Sequence, residues 1–149
     1  MIRELSSAVL LAGAMLASEA RTNVASDTAS RLDAPLVTWL SSRDGFGIGA
    51  KATPAGIGAI EGHYAISTQR GAWAYSLLPK FGLSYADGYH ELPQGAQFSM
   101  GLQGLVSYHH FVIGLEYWHM SNGDGLGLGL SDGQNIGLDL AVIQAGWQF

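Results

Sequence analysis

Between Gln97 and Tyr108 the chain alternates, residue by residue, between apolar and small or polar side chains. Phe98, Met100, Leu102, Val106 and Tyr108 share one parity. Gln97, Ser99, Gly101, Gln103 and Ser107 share the other, with Leu105 the one intruder. Side chains of a strand point to opposite faces in turn, so a period of two means a strand with one apolar face. The pattern recurs along the chain. Phe111, Ile113, Leu115 and Tyr117 oppose His110, Gly114 and Glu116; Ile60, Tyr64 and Ile66 oppose Glu61, His63 and Ser67. Phe81, Leu83 and Tyr85 oppose Lys80, Gly82 and Ser84, and Phe46, Ile48 and Ala50 oppose Gly45, Gly47, Gly49 and Lys51.

The polar face decides between architectures. A soluble sandwich or lipocalin-like barrel turns its apolar faces inward; an outer-membrane barrel turns them to lipid and fills its lumen with small or polar residues. Here the polar face is Gly, Gln and Ser rather than the Lys and Glu of a solvated surface. Only 13% of residues are charged, against roughly 25% in ordinary globular chains. Trp73, Tyr85, Tyr108, Tyr117, Trp118 and Trp147 fall near strand ends, where membrane girdles lie. The alternation therefore predicts an all-β fold: a transmembrane antiparallel up-and-down β-barrel of eight strands.

The strands are expected near 36–41, 45–52, 57–67, 71–78, 80–87, 97–108, 110–121 and 137–149. Alternatively, 71–86 is one long strand and Val24 to Leu32 supplies the eighth. In such barrels the C-terminus and the short turns lie on the periplasmic side and the longer loops lie outside. Tyr108-His109-His110 is then a tight periplasmic turn, and Asn122 to Ile136, with its biased GDGLGLGLSDG stretch, is a long external loop. Pairing Phe149 with His109 sets Asp139 across from His119.

Residues 1–20 read as an export signal. A weakly basic start at Arg3 precedes a short apolar run from Ala8 to Ala17, and Ser18 and Ala20 sit at −3 and −1 of a cleavage point. The barrel domain is then 21–149, in the outer membrane. A buried N-terminal helix is the alternative. The chain has no Cys, which removes disulfides, thiolate metal sites and a catalytic cysteine. Its net charge of −5 argues against a nucleic-acid partner held through phosphates. The His109-His110 pair lacks further ligands for a metal, and nothing calls for a cofactor. Lys51, Glu61, His63 and Glu116 have lumen parity.

One constellation carries chemistry. His119 and Ser121 are two apart, so they share a face, with Cα atoms roughly 7 Å apart. Their parity is that of Phe111, Ile113, Leu115 and Tyr117. Asp139 has the parity of Ala141, Ile143, Trp147 and Phe149, again the apolar face. A hydroxyl, an imidazole and a carboxylate thus converge outside the barrel near its rim. They suit a Ser nucleophile, a His base and an acidic orienter. Intramembrane ionisable groups are functional candidates, although polar residues at the interface cost only roughly 0–1 kcal/mol and serve in girdles as well.

Trp118-His119-Met120-Ser121-Asn122-Gly123, followed by Asn135-Ile136-Gly137-Leu138-Asp139-Leu140, resembles the PagL-type lipid A 3-O-deacylase family (acyloxyacyl hydrolase-like). The sharp likeness covers only the C-terminal part of the chain. It implies a small outer-membrane barrel that removes one ester-linked acyl chain from lipid A at a site on its outer surface. It also implies Ser121 as nucleophile, His119 as base and Asp139 as acidic partner, where members often carry Glu. Asn122 and a following glycine amide, Gly123 or Gly125, would supply the oxyanion donors. Asp124 interrupts the family's usual run of small residues there.

Three functions compete: an outer-membrane serine esterase acting on lipopolysaccharide, a non-enzymatic small barrel with a structural or adhesion role, and a soluble lipid-binding barrel. A homodimer is compatible with each.

Overall fold

In the computed structural model, residues 9–17, 35–42, 44–53, 56–86, 95–122 and 137–149 are described, without the side chains of 13–17, 35 and 86. They form a closed antiparallel barrel of eight strands in sequence order. The strands are β1 Val9–Ala17, β2 Pro35–Leu40, β3 Gly45–Thr53, β4 Ile57–Arg70, β5 Trp73–Ala86, β6 Gly95–Tyr108, β7 Phe111–Ser121 and β8 Leu138–Gln148. β1 closes the wall by pairing with both β2 and β8.

The period of two sets the faces as expected. Phe46, Ile60, Phe81, Leu102, Leu115 and Ile143 are exposed on the outer wall. Lys51, Glu61, His63, Lys80, Gln103, Glu116 and Gln144 are buried in the lumen. Leu105, the intruder on the polar parity, fills a lumen cluster with Val9, Leu11, Leu40, Ala65, Leu78 and Val112. A second apolar cluster around Leu36, Ile57, Trp118, Met120, Leu138 and Leu140 fills the opposite end.

Buried polar side chains pair between these clusters. Lys51 Nζ lies 2.8 Å from Glu61 Oε2 and 2.5 Å from Glu116 Oε1, which is also 3.3 Å from Lys80 Nζ. Ser99 donates to Glu61, and Trp118 Nε1 donates to Ser99 Oγ at 2.7 Å. Gln103 donates to Gln144, and Gln144 to Thr38, each at 2.6 Å. Two ammonium groups face two carboxylates, so the buried cluster is neutral and the lumen is plugged rather than open. Trp118 is therefore a lumen residue, under Lys51 Nζ at 4.2 Å from its ring, and not part of an outer girdle.

Three expectations about strand limits change. Pro79 does not end a strand: β5 runs unbroken through it, as in the one-strand alternative for 71–86. Proline lacks the N–H for one ladder bond. Pairing with β4 accordingly lapses between His63↔Lys80 and Ile66↔Leu77, while pairing with β6 continues through Pro79↔Leu102. The eighth strand is not half of a split β5, and Val24 to Leu32 lies outside the described residues. It is Val9–Ala17, inside the segment expected to be an export signal, so the barrel here extends beyond the expected 21–149 boundary. The physical reason is local. Val9 and Leu11 enter the apolar lumen cluster while Leu10 faces outward, so both faces of this strand are apolar and the alternation vanishes.

His109-His110 joins β6 to β7 in two residues, with His109 at φ 53°, and Gly71-Ala72 joins β4 to β5. The 41–44 connection and Phe149 lie at the same end. The opposite end carries the short 54–56 connection and the three long ones, 18–34, 87–94 and 122–137, the last beside the end of β7.

Candidate functional site

The site is built on the β7–β8 seam at the long-loop end. The register runs from Phe111↔Trp147 to Met120↔Leu138 and places His119 directly opposite Asp139. On its other side His119 pairs with Met100, and Ser121 pairs with Phe98. His119 and Asp139 point outward, with side chains 27% and 36% exposed, so both straddle the rim.

His119 Nδ1 lies 2.7 Å from Asp139 Oδ1. With the proton on Nδ1 the imidazole donates to the carboxylate, which leaves Nε2 as a lone-pair base. Tyr117, two residues before His119 on the same face, also donates its hydroxyl to Asp139 Oδ1. Gly137 at φ +71° brings the chain into β8 against the imidazole; a Cβ there would lie 3.1 Å from His119 Cε1. Glycine suits the position for both reasons, since L side chains disfavour that φ and the ring takes the space.

Ser121 is the last residue of β7, half-buried on the face of His119. Among the described residues its hydroxyl is not hydrogen-bonded to the imidazole. The structure thus brings His119 and Asp139 into contact and sets Ser121 one same-face step away. Asn122 is 1% exposed, matching the inward parity of Trp118 and Met120, so its side chain is not presented on the outer face with Ser121. Gly123 and Gly125 lie outside the described residues.

Sequence reasoning did not single out Tyr117 and Gly137 as site residues. Tyr117 was legible: its parity and the register that sets Asp139 opposite His119 also set it diagonal to Asp139. Gly137 needed its backbone conformation. Elsewhere, a recess of about 460 Å³ on the β3–β5 wall is lined by Phe46, Gly47, Tyr64, Pro79 and Phe81, away from the β7–β8 seam. Among the described residues no group of three or more His, Asp or Glu could hold a metal ion.

No family model, curated protein or solved structure matches the chain.

Proposed function

We propose that the protein is an outer-membrane serine esterase that removes the 3-position ester-linked acyl chain from lipid A. The observation that carries this reading is the His119 Nδ1–Asp139 Oδ1 contact on the outer face of a closed barrel, with Ser121 on the same face. The motif resemblance to PagL-type deacylases points the same way.

The apolar outer wall supports insertion into a bilayer. An exposed belt of Phe46, Ile60, Phe81, Leu102, Leu115 and Ile143 would be an aggregation surface in water and is a solvent match in lipid. This disfavours the soluble lipid-binding alternative. The ester bonds of lipid A lie at the depth of its glucosamine headgroup, and a rim site reaches them without extracting the substrate. Its acyl chains lie along Ile113 and Leu115, below the site.

In the reaction, His119 Nε2 takes the Ser121 proton as Oγ attacks the ester carbonyl carbon. The tetrahedral oxyanion calls for a hydrogen-bond donor beside Ser121, the role that the motif resemblance gives to a glycine amide, Gly123 or Gly125. On collapse the C–O bond to the sugar breaks, and its oxygen takes the proton from Nε2. Water, deprotonated by the same nitrogen, then attacks the acyl carbonyl carbon; the bond to Oγ breaks, Oγ takes the proton back from Nε2, and the fatty acid leaves as a carboxylic acid. The Ser121–His119 hydrogen bond this needs forms in the substrate complex, since catalytic hydrogen bonds tighten there. Asp139 holds the tautomer and stabilises the imidazolium.

Mass spectrometry of lipid A from cells expressing the wild type and Ser121→Ala tests the proposal. Loss of one ester-linked acyl chain in the first and not the second is expected. Equal deacylation by folded Ser121→Ala protein ends the serine-hydrolase reading. Unchanged lipid A in both leaves a non-enzymatic barrel.

A further inference from the structure

Tyr117 and His119 project from the same face of β7, one same-face step apart. Directly opposite Tyr117 on β8 is Ala141, not a bulky residue. Its methyl leaves space for the phenol ring to lean along the diagonal toward Asp139, and aromatic side chains reach such diagonal neighbours. The hydroxyl then donates to Asp139 Oδ1, the same oxygen that contacts His119 Nδ1.

We propose that Tyr117 is a positioning residue, whose hydroxyl holds the Asp139 carboxylate against the His119 imidazole. Its catalytic consequence rests on the esterase reading; the contact itself does not. Tyr117 and His119 meet the same carboxylate oxygen, so the hydroxyl ties Oδ1 down where the imidazole needs it, and a hydroxyl–carboxylate bond is of the stronger, charge-assisted kind. Fixing the carboxylate fixes the Nδ1–H tautomer and keeps the lone pair on Nε2. Tyr117 touches no reacting atom and acts only through Asp139.

The test uses the full chain refolded in detergent micelles, with folding checked by heat-modifiable gel migration and lipid A as substrate. Tyr117→Phe is expected to lower kcat roughly tenfold, the scale of one hydrogen bond to a charged group, while KM stays unchanged. In an Asp139→Ala background the same substitution has no further effect, because the residue acts through the missing carboxylate. Ala141→Leu, which fills the space the ring crosses, reproduces the Tyr117→Phe loss. A second readout needs no turnover: in ¹⁵N-histidine-labelled Ser121→Ala protein, His119 gives a downfield, exchange-protected Nδ1–H resonance. It is assigned by its disappearance in His119→Ala and is lost in Tyr117→Phe. Equal losses of kcat in the presence and absence of Asp139 overturn the proposal, as does an unchanged resonance with unchanged kcat. If the resonance responds but no variant, wild type included, hydrolyses lipid A, the esterase reading falls and the positioning role stands.

Discussion

Gly146→Ala is the sharpest test of how this barrel closes. Gly146 pairs with Leu11 on the β1–β8 seam. A Cβ at Gly146 would collide with Leu10 O and stand 2.8 Å from Leu11 Cα, both backbone atoms that cannot rotate away. Carbon atoms rest at about 3.5–4.0 Å, so the strands must part locally by about 1 Å. A ladder bond near 2.9 Å stretched by that amount is broken. Two or three bonds around the site are affected, and at about 0.5–1.5 kcal/mol each the loss is roughly 2–4 kcal/mol. Gly104→Ala is the matched control, since the nearest atom to its Cβ is Leu115 O at 4.0 Å. Urea titration of protein refolded in micelles, followed by gel migration, reads the difference. At an m-value of about 2 kcal/mol/M the Gly146→Ala midpoint falls by about 1–2 M and that of Gly104→Ala stays put. Equal midpoints for the two variants would refute Val9–Ala17 as the strand beside β8.

Deleting residues 1–20 removes β1 and is expected to abolish the folded gel form, whereas intact mass showing a native barrel that starts at Arg21 would contradict the strand assignment. Lys51→Met leaves Glu61 and Glu116 with only Lys80 between them, which costs about 3–5 kcal/mol in the same titration, and adding Glu61→Gln restores part of it. In the lipid A assay, Asp139→Asn lowers turnover strongly without abolishing it, and in the Ser121→Ala background it has no further effect. Gly137→Ala forces an L side chain to a positive φ at about 1–2 kcal/mol and crowds His119 Cε1, so kcat falls while the barrel still folds.

Most of the wall was legible because alternation is a direct consequence of strand geometry. Wherever one face is apolar and the other small or polar, parity alone assigned it, as for Phe98 against Gln97 or Leu115 against Glu116. It failed where both faces are apolar. VLLAGAMLA carries no alternation, because its lumen side meets Leu40 and Leu105 rather than the polar cluster, and an apolar run of that length also looks like an export signal. Pro79 misled in the opposite way. A proline argues against a central strand, yet a barrel tolerates one lapse in pairing on one side of β5 when the other side holds.

The site was legible to the extent that it depends on register. The two-residue turn at His109-His110 marks the end of the barrel where β7 begins, and setting Phe149 level with His109 there fixes every pair along β7 and β8 by counting. That counting put Asp139 opposite His119, where the structure has it. Aligning the strand ends is therefore what connects a sequence signal to a juxtaposition of residues 20 positions apart. Counting stops at the strand ends. Beyond Ser121 the chain leaves the ladder, so no parity rule governs which amide approaches Oγ. Within the ladder, counting gives Cα neighbours but not how a side chain leans. Tyr117 faces Ala141 by register and Asp139 by hydrogen bond, and the small Ala141 side chain leaves room for that lean. The acidic partner is thus specified by two strands together: β8 contributes the carboxylate and the space beside it, and β7 contributes the Tyr117 hydroxyl and the His119 imidazole that meet it.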